Sequence, residues 1–290
     1  RKPYHSVSKG TYAIMATKKE KDKKARRYSD AKAVAQKQKS NFELNTLVLP
    51  KGVSLFQFKE EKTYKLDVIP FETKEGNPMA DEGIMHYERT YYIHQGIGPE
   101  NKKFVCLSKT FGKPCPICNH VGKLQKQGAE YETIGAYKPK KRQLFAFRDR
   151  DNLAAGIQVY EGPYANGFGE VLDAKLDAAE EDDPYKNFFH IEDGMLLKVN
   201  CKKDSFKTKD GTGSFIKPVN IEMVARSKPL DEDLLEQVPC LDELPKEVLF
   251  KELEKLFLEG ESGETEEPEE KDEDSSDTED SDEDSDSSED

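Results

Sequence analysis

His86–His120 reads HYERTYYIHQGIGPENKKFVCLSKTFGKPCPICNH, and these 35 residues hold three of the chain's five cysteines and three of its five histidines. Cys115 and Cys118 form a C-P-I-C pair, a spacing that lets one tight turn aim both thiolates at a single ion. Cys106 precedes the pair by eight intervening residues, and His94 precedes Cys106 by eleven. Thiolates and a neutral imidazole suit a tetrahedral ion, and four protein ligands leave no position for water. The stretch therefore reads as one structural Zn2+ held by Cys106, Cys115, Cys118 and a histidine: His94, with His120 or His86 as alternates. Such an ion folds a region short of apolar residues, here a zinc subdomain over about residues 86–125.

The same residues contain a competing pattern. His86-Tyr87-Glu88 followed by Pro114-Cys115-Pro116-Ile117-Cys118 matches the H-x-E then P-C-x-x-C order of zinc nucleobase deaminases. Three features oppose it: His86 and Glu88 run into an alternating, strand-like segment, bulky Tyr87 fills the middle, and Cys106 goes unused. No P-loop, nucleophile elbow or paired-carboxylate arrangement is present. A binding protein is favoured over an enzyme.

Outward from the cluster, short segments rich in β-branched and aromatic residues predict strands at Val53–Phe58, Thr63–Phe71, Glu88–His94, Gln143–Arg148, Gly156–Tyr160, Met195–Cys201 and Phe215–Ala225. Helices are predicted at Asn119–Gln127, Val171–Ala179 and in two pieces within Asp231–Leu258, where Pro239 and Pro245 interrupt and Leu249, Leu253, Leu256 and Phe257 mark a core-facing stripe. Many short strands with few helices give a mainly β (α+β) class, a small barrel or strongly curved sheet.

The charge is at the ends. Residues 1–45 hold 13 Lys and Arg against 4 Asp and Glu, residues 259–290 hold 1 against 19, and the core, 46–258, is left with a net −4. A basic arm and an acidic low-complexity tail thus flank a nearly balanced domain, and neither end has the apolar residues to fold alone. The tail reads as a polyanion able to occupy the protein's own cationic surface or to dock on basic partners. Met15 opens MATKKEKDKK, so residues 1–14 are expected to lie upstream of the natural start. No apolar run approaches the roughly 20 residues that cross a bilayer, and no signal peptide opens the sequence, so a soluble, non-secreted protein is expected.

Cations interleave with aromatics in two places. Tyr137-Lys138-Pro139-Lys140-Lys141-Arg142 leads into Phe145 and Phe147, and Arg89, Tyr91, Tyr92, Lys102, Lys103 and Lys109 surround the cysteines. Cations neutralise phosphates and aromatic faces stack unpaired bases, a combination suited to single strands because duplex bases are already stacked. The competing reading of some of Phe145, Phe147, Tyr91 and Tyr92 is barrel core. With no Trp in the chain, stacking falls to Tyr and Phe.

Taken together, H-(x11)-C-(x8)-C-P-I-C, the strand start KPKKRQLFAF, then GIQVY and MLLKVNC, a basic arm and an acidic tail resemble the single-stranded-DNA-binding (helix-destabilising) protein family of T-even-type bacteriophages. The resemblance covers most of the chain from about Ala25 onward. It implies an OB-fold core with an inserted zinc subdomain, DNA in a cleft between them, zinc ligands at His94, Cys106, Cys115 and Cys118, and DNA contacts at Lys138, Lys140, Lys141 and Arg142. It also implies cooperative self-association through the arm, for which Lys23, Lys24, Arg26, Arg27 and Ser29 are the candidates, and recruitment of replication and recombination proteins by the tail. The setting it implies is the cytoplasm of an infected host cell. Two alternatives stay open: RNA as the ligand, and an acidic chaperone or scaffold for basic proteins with zinc merely structural.

Overall fold

The computed structural model describes residues 46–98, 100–180, 183–208 and 211–261. Expectations about the arm, including Lys23, Lys24, Arg26, Arg27 and Ser29, and about the tail beyond residue 261 lie outside the described residues.

Alternating apolar side chains build the sheet. Ser54–Phe56 forms β1, Thr63–Val68 β2, Phe71–Glu72 β3, Met85–His86 β4, Glu88–Ile97 β5, Lys102–Val105 β6, Lys140–Asp149 β7, Ile157–Pro163 β8, Met195–Thr208 β9 and Gly211–Ala225 β10. The main sheet runs β1-β8-β7-β2-β9-β10, with β5 also on β7 and β6 on β5; β3 and β4 form a separate two-stranded sheet. The main-sheet pairs are antiparallel except β1 with β8. Among the described residues six helices accompany it: α1 (Leu107–Phe111), α2 (Pro116–Lys126), α3 (Tyr131–Tyr137), α4 (Phe168–Asp177), α5 (Asp233–Gln237) and α6 (Phe250–Glu261). The chain is thus mixed α+β around one large sheet.

β7 is the hub of that sheet. Residues 143–147 are buried without interruption because successive side chains point to opposite faces and both faces are covered. Phe145 and Phe147 pack with Phe56, Leu66 and Phe168 on one side, and Leu144 and Ala146 with Ile69, Tyr91 and Leu230 on the other. β5 pairs with the first part of β7, from Lys140 to Phe145, and β2 with its end, from Phe147 to Asp149. The segment between β2 and β7 is therefore an insertion that leaves the sheet and returns to it, carrying β5, β6 and three helices.

Several boundaries differ from those predicted. Thr63–Phe71 divides at Ile69 and Pro70, since proline has no N–H for the ladder. The first insertion helix to be predicted, Asn119–Gln127, begins earlier, at Pro116, the residue type that best tolerates a helix's first turn. β9 runs on to Thr208 rather than stopping at Cys201. α6 follows the stripe at Leu253 and Phe257, but Leu249 precedes the helix and is 72% exposed, which corrects its place in the core. Asp67 sits fully buried between the buried Arg226 and the partly exposed Arg150, an ion triad at the edge of the core. Among the described residues no helix is long and apolar enough to cross a membrane.

Candidate metal centre and nucleic-acid interface

Four residues from three elements and their connections converge in the insertion. His94 comes from β5, Cys106 caps the start of α1, Cys115 caps α2, and Cys118 lies in the first turn of α2. Their ligand atoms all lie within 4.8 Å of one another. Cys106 Sγ is 3.5 Å from Cys118 Sγ, and His94 Nε2 is 3.5 Å from Cys115 Sγ and 3.7 Å from Cys118 Sγ. Around a tetrahedral ion with sulfur at about 2.3 Å and nitrogen at about 2.0 Å, ligand atoms stand about 3.5–3.8 Å apart. These three separations match such a shell, and the four ligand atoms together can hold a metal ion.

The surroundings support that role. His94 Nδ1 lies 2.7 Å from the Tyr137 carbonyl, so this nitrogen carries the proton and donates, leaving Nε2 free for an ion. The Lys109 backbone N–H donates to Cys106 Sγ at 3.4 Å. Cys115 and Cys118 stand at the amino end of α2, where the helix dipole favours thiolate. Burial alone would lower the pKa of His94, but without an ion hydrogen bonds with Cys106 and Cys115 outweigh it and raise it to about 9, so Nε2 then also carries a proton, which a bound ion would displace. Hydrogen bonds with Cys106 and Cys118 hold the Cys115 thiol far below its ordinary range, while contacts with Cys106 and Cys115 push Cys118 above its own. Sulfurs this close cannot all ionise without a cation among them, and a divalent ion removes the conflict.

A small core encloses the cluster: Ile97, Phe104, Leu107, Ile117, Leu253 and Phe257 pack around the cysteines. Gly98, at φ +69°, lets α6 come close, since a Cβ there would meet the Leu256 carbonyl at 3.2 Å. His120 is not in the ligand group; its ring packs 5.2 Å from Tyr137 and 5.0 Å from Phe257. Nor is His86, whose ring lies 4.6 Å from that of Tyr87. Glu88, the would-be proton shuttle of the deaminase pattern, is buried and accepts from Gln143 Nε2 at 2.7 Å. The His86-x-Glu88 pattern and the C-P-I-C pair are therefore not assembled into one site.

The expected nucleic-acid contacts divide. Phe145, Phe147 and Tyr91 are fully buried, so their assignment to base stacking is corrected: both faces of their strands are covered. Arg89 is also enclosed, paired with Asp242 at 2.9 Å. Arg142 is spent on Glu161, at 2.6 Å from Nη2 to Oε2, and the Tyr91 hydroxyl donates to the same carboxylate at 2.7 Å. Tyr92 and Tyr137 are half-buried against the metal-centre core, and Lys102 pairs with Glu100 at 2.7 Å. Lys103, Lys109 and Lys140 are exposed. Lys138 lies 4.7 Å over the ring of Tyr131, which is 77% exposed, and Lys141 lies 3.7 Å over that of Tyr164.

One basic-aromatic surface went unread in the sequence. β9 pairs with β2 only as far as Asn200, and beyond it the ladder continues with β10 alone among the described strands. On this projecting ribbon Phe206 and Phe215 are 50% and 40% exposed, with ring centroids 6.0 Å apart. Phe206 lies across Gly213, where a Cβ would come within 2.4 Å of the ring. Phe206 and Phe215 alternate with Asp204 on one face, together with Lys202 and Lys217; Lys203 and Lys207 alternate to the other. The signal was present in KKDSFKTK, a basic run with period-two spacing, but its polarity reads as a loop. Because β2 meets only the far end of β7, the ribbon projects past Asp149, whereas Lys138, Lys140 and Lys141 gather at the opposite end of β7, whose ten residues span about 30 Å before the ribbon begins.

The fold and site define a class: a mixed α+β protein whose large sheet carries an insertion closed around a buried Cys3His cluster. Compared with known proteins, the chain matches no family model and no curated protein.

Proposed function

We propose that this chain binds single-stranded DNA without reading its sequence, and that the Cys3His centre holds one structural Zn2+. The observation that carries the binding reading is the β9–β10 ribbon. A half-exposed pair of phenylalanines, one seated on a glycine, offers flat faces to unpaired bases; Lys202 on their face and Lys203 and Lys207 on the other offer charge to the backbone, while Lys217 is paired with Asp204 at 2.5 Å. Tyr131 with Lys138, and Tyr164 with Lys141, repeat the pairing at the other end of β7. A strand held at both would cross the sheet, which we read as an OB-type core: mostly antiparallel, with one parallel pair and the metal insertion returning to its central strand.

Four protein ligands leave the zinc no open position, so its part is to hold β5, α1 and α2 together. The resemblance of the sequence assigns the DNA to strands exposed in viral replication, recombination and repair, where binding unpaired strand but not duplex removes secondary structure by mass action. The acidic tail, net −18 over residues 259–290, competes for the same lysines until DNA displaces it, and is then available to replication and recombination proteins.

Photocrosslinking tests the assignment. The full chain is irradiated with an oligonucleotide carrying 5-iodouracil, and the crosslinked peptides are sequenced. Crosslinks at Phe206 or Phe215 are expected; crosslinks confined to other parts of the chain would remove the ribbon from the interface.

A further inference from the structure

On another face of the molecule two hollows share Leu235 as a wall. One, of about 300 Å3, is formed by Pro70, Met85, Phe189 and Ile191 with Glu192 at its edge; the other, of about 550 Å3, is formed by Phe71, Val238 and Cys240 with Glu72 and Glu82. Met79 and Ile84, more than half exposed, lie on the loop between β3 and β4 that borders them. The smaller hollow is mostly apolar; the larger is more polar, with Thr73 and Lys74 also in its wall, and Glu72, Glu82 and Glu192 stand along the rim of the two. Its cations are already engaged: Lys74 pairs with Glu243, and the His190 ring stands 3.4 Å from Asp193. Such a surface repels phosphate and suits a basic segment bearing small apolar side chains.

The chain itself contains that segment. Residues 18–39, KKEKDKKARRYSDAKAVAQKQK, hold ten Lys and Arg against three Asp and Glu, with Tyr28, Ala31, Ala33, Val34 and Ala35 among them. The path is short. Leu47 bridges to Pro245, and Lys246 N–H donates to the Thr46 carbonyl, so the segment joins the fold beside residues 245–246. Pro245 is five residues from Cys240 in the groove wall, at most about 18 Å; the twelve residues from Val34 to Thr46 reach about 40 Å.

We propose that residues 18–39 dock in this groove of their own chain, with the alanines and Val34 on its apolar walls and the lysines and arginines against Glu72, Glu82 and Glu192. The inference is independent of nucleic-acid binding. A photoreactive benzoylphenylalanine placed at position 34 of the full chain tests it, in an equal mixture of light- and heavy-isotope protein without nucleic acid. The expected crosslinks fall within residues 70–85, 189–192 or 235–240 and join chains of one isotope only. Crosslinks to other regions overturn the proposal, and mixed-isotope crosslinks overturn docking within the same chain. Glu82→Lys with Glu192→Lys should lower the crosslink yield about fivefold or more, the loss expected when two rim charges become repulsive. Glu132→Lys with Glu170→Lys, the same change in charge at exposed positions elsewhere, should leave it unaltered; an equal loss in both pairs would reduce the effect to net charge and refute the groove.

Discussion

Replacing Phe206 with alanine removes the ring that lies over Gly213 and beside Phe215. The cost to folding is small, because the ring is 50% exposed and its ribbon pairs beyond Asn200 only with β10; half of the burial contribution of a phenylalanine is roughly 1 kcal/mol. Binding should lose more. A stacked base contributes about 1–3 kcal/mol, which corresponds to about a 5- to 150-fold weaker Kd. Since no charge is removed, the dependence of affinity on salt should keep its slope. Lys203→Ala and Lys207→Ala should also weaken binding but, unlike Phe206→Ala, each should flatten the log-log slope by about 0.7 for a single strand. Fluorescence anisotropy with an end-labelled dT oligonucleotide across a salt series separates the two effects. Unchanged affinity in a folded Phe206→Ala chain would refute stacking on the ribbon.

Three further outcomes follow from named groups. Metal analysis should find one zinc per chain, and Cys115→Ser should lose it, together with hydrogen-exchange protection in β5, α2 and α6, while β9 and β10 stay protected; a metal-free wild-type chain with the same protection would contradict the zinc reading. Glu88 is held up to about 7, by burial first and then by the charge of Asp173, against an ordinary 4.5. Between those values the folded chain binds more protons than the unfolded one, so stability should fall as pH rises through the window, by as much as about 3 kcal/mol. Glu88→Gln, which can still accept from Gln143, should flatten that dependence in urea midpoints measured from pH 4.5 to 7.5. Arg142→Ala should cost about 1–3 kcal/mol of stability, because Glu161 loses its guanidinium partner but keeps the Tyr91 hydroxyl and some solvent, whereas Lys140→Ala should leave the melting temperature unchanged and lower the salt slope; thermal melts alongside binding curves distinguish them.

The metal centre was legible in the sequence because its ligands are chemically distinctive and lie within 25 consecutive residues, His94 to Cys118. Strand positions were legible where alternation is local, as in Tyr64, Leu66 and Val68 of β2. Which aromatics meet solvent was not. Phe145 and Phe147 sit in a basic context that resembles a binding surface, yet their fate was decided by α4 and β1 packing over β7 from far along the chain. The ribbon was missed for the converse reason: its residues are polar because it leaves the sheet, and only the register with β10 makes Lys202–Thr208 a strand. α1 and α3, five and seven residues long, depend on the converging ligands and on the contact from His94 to the Tyr137 carbonyl rather than on any periodicity of their own.

The central claim is tested most directly by one titration: the full chain against single-stranded DNA, single-stranded RNA and duplex DNA of equal length, at low and at high salt. The account predicts binding to single-stranded DNA about tenfold or more tighter than to duplex, weakening steeply as salt rises. Equal or tighter binding to duplex, or a clear preference for RNA, would contradict it.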